Sequence, residues 1–72
     1  MKLPKEVQLI AFTDPDTYDK SWCVIEKNQR QPLYSPLLES EESLAACELW
    51  LIDRNYRMSR RLSINVFIYT LE

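Results

Sequence analysis

Residues 53–63 read DRNYRMSRRLS, a stretch with four arginines in the eight positions from Arg54 to Arg61. Whether it closes a helix or belongs to another element decides how the last third of the chain is organised. Immediately upstream, Ser40 is a suitable N-cap, and Glu41 and Glu42 fall in a first turn where the helix dipole favours negative charge. The helix is therefore expected from about Glu41 to near Tyr56. Arginines in its last turn would complement the exposed carbonyls there. If the helix continued, Arg54, Arg57 and Arg61 would lie along one face, with Tyr56 and Lys27 nearby.

The helix carries more apolar residues than one stripe can use. At about 100° per residue, Ala45, Leu49, Ile52 and Tyr56 fall on one face and Leu44, Cys47 and Leu51 on another, with Trp50 and Ala46 beyond. A sheet can cover only one of these faces. The other is left to the preceding connection or to another molecule.

On the far side of the arginines, Leu62 to Leu71 (LSINVFIYTL) reads as the last strand. Leu62, Ile64, Val66 and Ile68 alternate with Ser63 and Asn65, and the opposite face turns apolar at Phe67, Tyr69 and Leu71. Apolar residues on both faces predict that both are covered.

Toward the N-terminus, Glu6 to Thr13 (EVQLIAFT) is β-rich and ends at the turn sequence Thr-Asp-Pro-Asp. Ser21 to Lys27 (SWCVIEK) follows as the second arm of a hairpin across DPDTYDK. Its Trp22, Val24 and Glu26 share one face, and Cys23 and Ile25 the other. Residues 28–40, NQRQPLYSPLLES, contain two prolines that neither donate to a ladder nor sit inside a helix. They read as an extended connection held down by Leu33, Tyr34, Leu37 and Leu38. The expected fold is α+β: a small antiparallel sheet of about three strands in the order β-β-α-β, with one helix packed on one face, as one domain over residues 1–72.

With 72 residues, 46% of them hydrophobic and 28% charged, the chain has a globular composition near the lower size limit for a self-sufficient core. It contains no glycine and no histidine. Without glycine there is neither a Walker loop nor a dinucleotide fingerprint. Without histidine the usual general base near neutral pH and the commonest metal ligand are missing.

Cys23 and Cys47 lack metal-binding spacing and read as two buried thiols. Asp14, Asp16 and Asp19 lack the glycine and distal glutamate of a calcium loop. Glu39, Glu41 and Glu42 serve a helix start. No metal, cofactor, small-molecule substrate or enzymatic activity is expected. The N-terminus resembles neither a signal peptide nor a membrane span, which points to the cytoplasm.

Charge is unevenly distributed. Residues 1–53 hold five basic and ten acidic side chains and residues 54–72 four and one, a split of −5 against +3 within a net −2. Basic patches with an aromatic meet phosphates, but nucleic-acid-binding domains are as a rule strongly basic, and this chain has a pI near 5.1.

The expected function is a non-enzymatic protein-interaction module, a small regulator or inhibitor of a larger protein, itself expected to be homodimeric. Trp22, Trp50, Phe67 and Tyr69 are the expected anchors, and Arg54, Arg57, Arg60 and Arg61 the charged rim, because aromatic and arginine side chains dominate interface energetics. The alternative is a nucleic-acid-associated regulator using the arginines at 54–61.

Overall fold

A computed structural model describes residues 3–13, 15–16 and 19–72. Among these residues, four antiparallel strands and one helix follow in the order β1 (Glu6–Thr13), β2 (Lys20–Glu26), α1 (Ser40–Asp53), β3 (Tyr56–Ser63) and β4 (Val66–Leu71). The sheet order is β2-β1-β4-β3. The α+β class and the single helix are as expected, whereas the sheet has four strands and not about three. Asp14, Thr17 and Tyr18, part of the expected hairpin turn, lie outside the described residues.

The additional strand is β3, drawn largely from the stretch quoted above. The helix stops at Asp53, short of the expected Tyr56, because Asn55 adopts φ 66 and turns the chain out. Helices commonly end on a glycine in this left-handed conformation, and in a chain without glycine asparagine is the next best residue. The Arg54 and Asn55 N–H groups donate to the Leu51 and Ile52 carbonyls, tightening the last turn. Asn55 O then accepts from the Glu72 N–H, which ties the helix exit to the end of β4.

The last strand accordingly starts at Val66, and not at Leu62. Ile64 and Asn65 form the turn of the β3–β4 hairpin, opposite the Ser63–Val66 pair. Leu62 and Ile64 are exposed, so the expected alternation from Leu62 to Ile68 runs across a turn.

The β1–β2 register pairs Leu9 with Val24 and Ala11 with Trp22, and the β1–β4 register pairs Val7 with Tyr69 and Leu9 with Phe67. These residues point to the helix side of the sheet. There they meet Cys47 and Leu51 of α1, and Tyr56 completes the cluster. The helix face buried is the one carrying Ser43, Cys47 and Leu51. The Trp22 N–H donates to Ser43 Oγ at 2.9 Å, and the Ser43 hydroxyl donates to Ser40 O at 2.9 Å, so this buried serine is satisfied on both sides. The N-cap is Glu39, without a side-chain bond; Ser40 is the first helical residue, and Glu41 and Glu42 occupy the first turn.

Residues 33–34 run beside the outer edge of β2. The Val24 N–H donates to Tyr34 O at 2.8 Å and the Leu33 N–H to Val24 O at 2.7 Å. Leu33 and Tyr34 pack on the core as expected. Leu37 and Leu38 do not: Leu37 is 80% exposed and holds φ 56.

Candidate partner-binding surface

The helix lies chiefly over β2, so the helix side of the β3–β4 hairpin is only partly covered. Phe67, Tyr69 and Leu71 are half-buried there, and Met58 is 55% exposed. Between α1 and the hairpin is a groove whose cavity of about 190 Å³ is lined by Leu9, Leu44, Glu48, Met58, Phe67 and Tyr69. A second cavity of about 250 Å³, lined by residues including Phe12, Leu37 and Leu38, opens beyond the far end of β2. Both are smaller than the roughly 300–1,000 Å³ of small-molecule sites, and the groove in particular has the size and lining to take apolar side chains.

The outer face of α1 presents a second apolar surface. Leu49 is 62% and Ile52 63% exposed, and Ala45 stands beside them in the helical repeat. This stripe lies nearly opposite Ser43, Cys47 and Leu51. The connection leaves it bare, because Tyr34 covers Trp50 on a different flank, stacked at 5.6 Å between ring centroids.

A third apolar surface occupies the sheet face away from the helix. Ile10, Cys23, Ile25, Val66 and Ile68 share it by register. Cys23 and Ile68 are nonetheless buried. Ile68 stands between Gln8 and Arg60, whose long side chains flank it on the neighbouring strands.

The four arginines do not form one patch. Arg54 is the helix C-cap; its Nη1 donates to Trp50 O at 3.1 Å, and its guanidinium lies 4.2 Å from the Trp50 ring centroid. Arg54 alone therefore complements the helix end. Arg57 pairs with Thr70 and Arg60 with Ile68, which puts both on the face away from the helix. Arg61 pairs with Phe67 on the helix side, its guanidinium 5.6 Å from that ring.

The division follows from two register shifts, between Met58 and Arg60 and between Arg61 and Ser63. Each inserts an extra residue and breaks strict alternation. Arg57 Nε also lies 3.0 Å from Glu72 Oε1. Bulges and arginines on an outer strand oppose edge-to-edge pairing, which gives these charges a structural use of their own.

Of the expected anchors, Trp22 is 5% exposed and is spent in the core, 5.8 Å from Phe67. Trp50 is half-buried between Tyr34 and Tyr56, the latter stacked at 6.3 Å. Phe67 and Tyr69 line the groove. Sequence reasoning put Leu44 on an apolar face of the helix but named neither it nor Met58 or Glu48 as a binding residue. The available signal was the surplus of apolar residues around α1, which marks a helix needing cover on more than one side.

The thiols are chemically quiet. Burial pushes the Cys47 pKa up to about 12, with Cys23 and Glu48 adding to the effect, and burial raises Cys23 as well. Neither supplies a thiolate near neutral pH. Among the described residues no group of three or more His, Cys, Asp or Glu side chains is placed to hold a metal, and no helix is long and apolar enough to cross a membrane. Compared with protein-family models, curated proteins and solved structures, the chain matches none.

Proposed function

We propose that this chain is a non-enzymatic protein-interaction module that acts by docking through the helix side of its sheet, as a regulator or inhibitor of its partner. The observation that carries the reading is the pairing of an apolar groove at Met58, Phe67 and Tyr69 with an exposed apolar stripe at Leu49 and Ile52. Contiguous exposed apolar surface is costly in an isolated domain and marks interaction sites. Phe67 and Tyr69 supply rigid aromatic area, and Arg61 is a charged group at the rim. Two buried free thiols suit a reducing cytoplasm.

The test is capture on the immobilised chain, with Met58→Glu beside it, together with titration of a labelled duplex and a labelled single-stranded RNA at low and moderate salt. Retention of a protein, including further copies of the chain, that Met58→Glu abolishes supports the reading. Nucleic-acid binding that falls steeply with salt and is lost in Arg57→Gln and Arg60→Gln overturns it in favour of phosphate recognition.

A further inference from the structure

We propose that the partner is a second copy of this chain, related by a two-fold axis, with the Ala45–Leu49–Ile52 stripe of each α1 seated over the other copy's groove at Met58, Phe67 and Tyr69. This inference rests on the protein-interaction reading above.

Two unpartnered apolar surfaces of complementary form occur on one molecule, one convex and one concave. The stripe is convex, with Leu49 and Ile52 both more than 60% exposed. The groove is concave, floored by Leu9 and walled by Leu44 and Met58. They lie side by side on the same side of the sheet, so turning a second copy over places each helix on the other's uncovered hairpin. The two helices then form one layer between two sheets. Each α1 is buried twice, by its own sheet along Ser43, Cys47 and Leu51 and by its partner along the opposite stripe. A helix that is apolar on opposite faces is built for a place between two layers.

Charge supports the same occupant. From Ser40 to Asp53 the helix has four acidic residues, Glu41, Glu42, Glu48 and Asp53, and no basic one. On the same face as Met58, the wall of the groove formed by β3 continues to Arg61, which is exposed. A helix from a second copy brings its acids to that wall, and the two-fold axis repeats the contact. The opposing effect is the approach of acidic flanks between the two helices near Glu48. Glu48 lines the groove, so this repulsion works against the contact and is offset by the attraction of the acidic helix to Arg61. Edge-to-edge pairing of two β3 strands is the competing route to a dimer, and it would set arginine against arginine across two bulges.

The experiment is sedimentation equilibrium of the full chain and of Leu49→Glu and Met58→Glu over a wide concentration range, with circular dichroism as the check on folding. Both substituted side chains are already more than half exposed in the isolated chain. A concentration-dependent dimer for the unaltered chain and folded monomers for both variants is the expected result. A second measurement needs no loss of binding: Leu49→Cys and Met58→Cys chains are mixed under mild oxidation, with Cys23 and Cys47 buried. The expected product is a cross-linked pair in greater yield than either variant gives alone.

An unaltered chain that stays monomeric throughout overturns the self-association proposal, as does a dimer that both glutamate variants retain without cross-linking. The interaction-module reading fails separately, through salt-dependent nucleic-acid binding.

Discussion

The Trp22 backbone N–H and the Ser43 hydroxyl, 21 residues apart and both buried, form a 2.9 Å hydrogen bond that joins β2 to α1. It fixes where the helix lies across the sheet, and hence which part of the sheet is left open beside Met58 and Phe67. Ser43→Ala should cost about 1–3 kcal/mol, because the Trp22 N–H would remain buried without its acceptor. Chemical denaturation measures the loss. A change below about 0.5 kcal/mol would show that water or a shifted helix replaces the serine.

Leu37 holds φ 56 while its side chain is 80% exposed, so it combines backbone strain with little compensating burial. Left-handed backbone costs a residue with a Cβ roughly 1–2 kcal/mol. Leu37→Gly should therefore raise stability, by about 0.5–1 kcal/mol once the greater flexibility of glycine in the unfolded chain is counted. Asn55 has φ 66 but is locally suited to it, so Asn55→Gly should be close to neutral and Asn55→Val should destabilise by about 1–2 kcal/mol. Paired thermal melts of these three variants give the order.

Much of the fold was legible because its central elements obey simple periods. Val7 and Leu9 alternate with Gln8 and Ile10 along β1, and the faces of Trp22, Val24, Cys23 and Ile25 fall as their alternation requires. β3 was hidden because the extra residues at its two bulges destroy the period of two, and because four arginines beside a helix resemble a helix end. The informative residue was Asn55, the left-handed substitute for glycine that separates α1 from β3. The groove was less legible still. Met58 and Glu48 meet only through the register of the hairpin and the offset of α1 toward β2, neither of which is encoded locally.

Stability should fall at alkaline pH. The Cys47 thiol, ordinarily at 9.0, is pushed up to about 12 by burial, and Tyr69 and Tyr56 are raised in the same direction, mainly by burial. The unfolded chain releases the Cys47 proton first. Its contribution is therefore complete below about 9 and is lost as pH rises toward 12, with a slope of at most about 1.4 kcal/mol per pH unit for one proton. Urea midpoints across that window should decline, and Cys47→Ala should decline less steeply. An unchanged slope in that variant would assign the alkaline transition to the tyrosines.

The Arg57–Glu72 pair is 3.0 Å long, but both side chains are more than half exposed. Glu72→Gln should change stability by less than about 1 kcal/mol, with the effect fading as salt is added. A larger loss in a denaturant titration would mean that Glu72 holds the β3 edge in place.

The most direct measurement of the central claim is a map of backbone amide and Met58 methyl chemical shifts recorded at low and high protein concentration. Shifts gathered on Leu44, Glu48, Leu49, Ile52, Met58, Phe67 and Tyr69 are the predicted result, since the helix side of the sheet is then the surface that docks. Shifts confined to Ile10, Ile25 and Val66 on the opposite face, or none at any concentration, would contradict it.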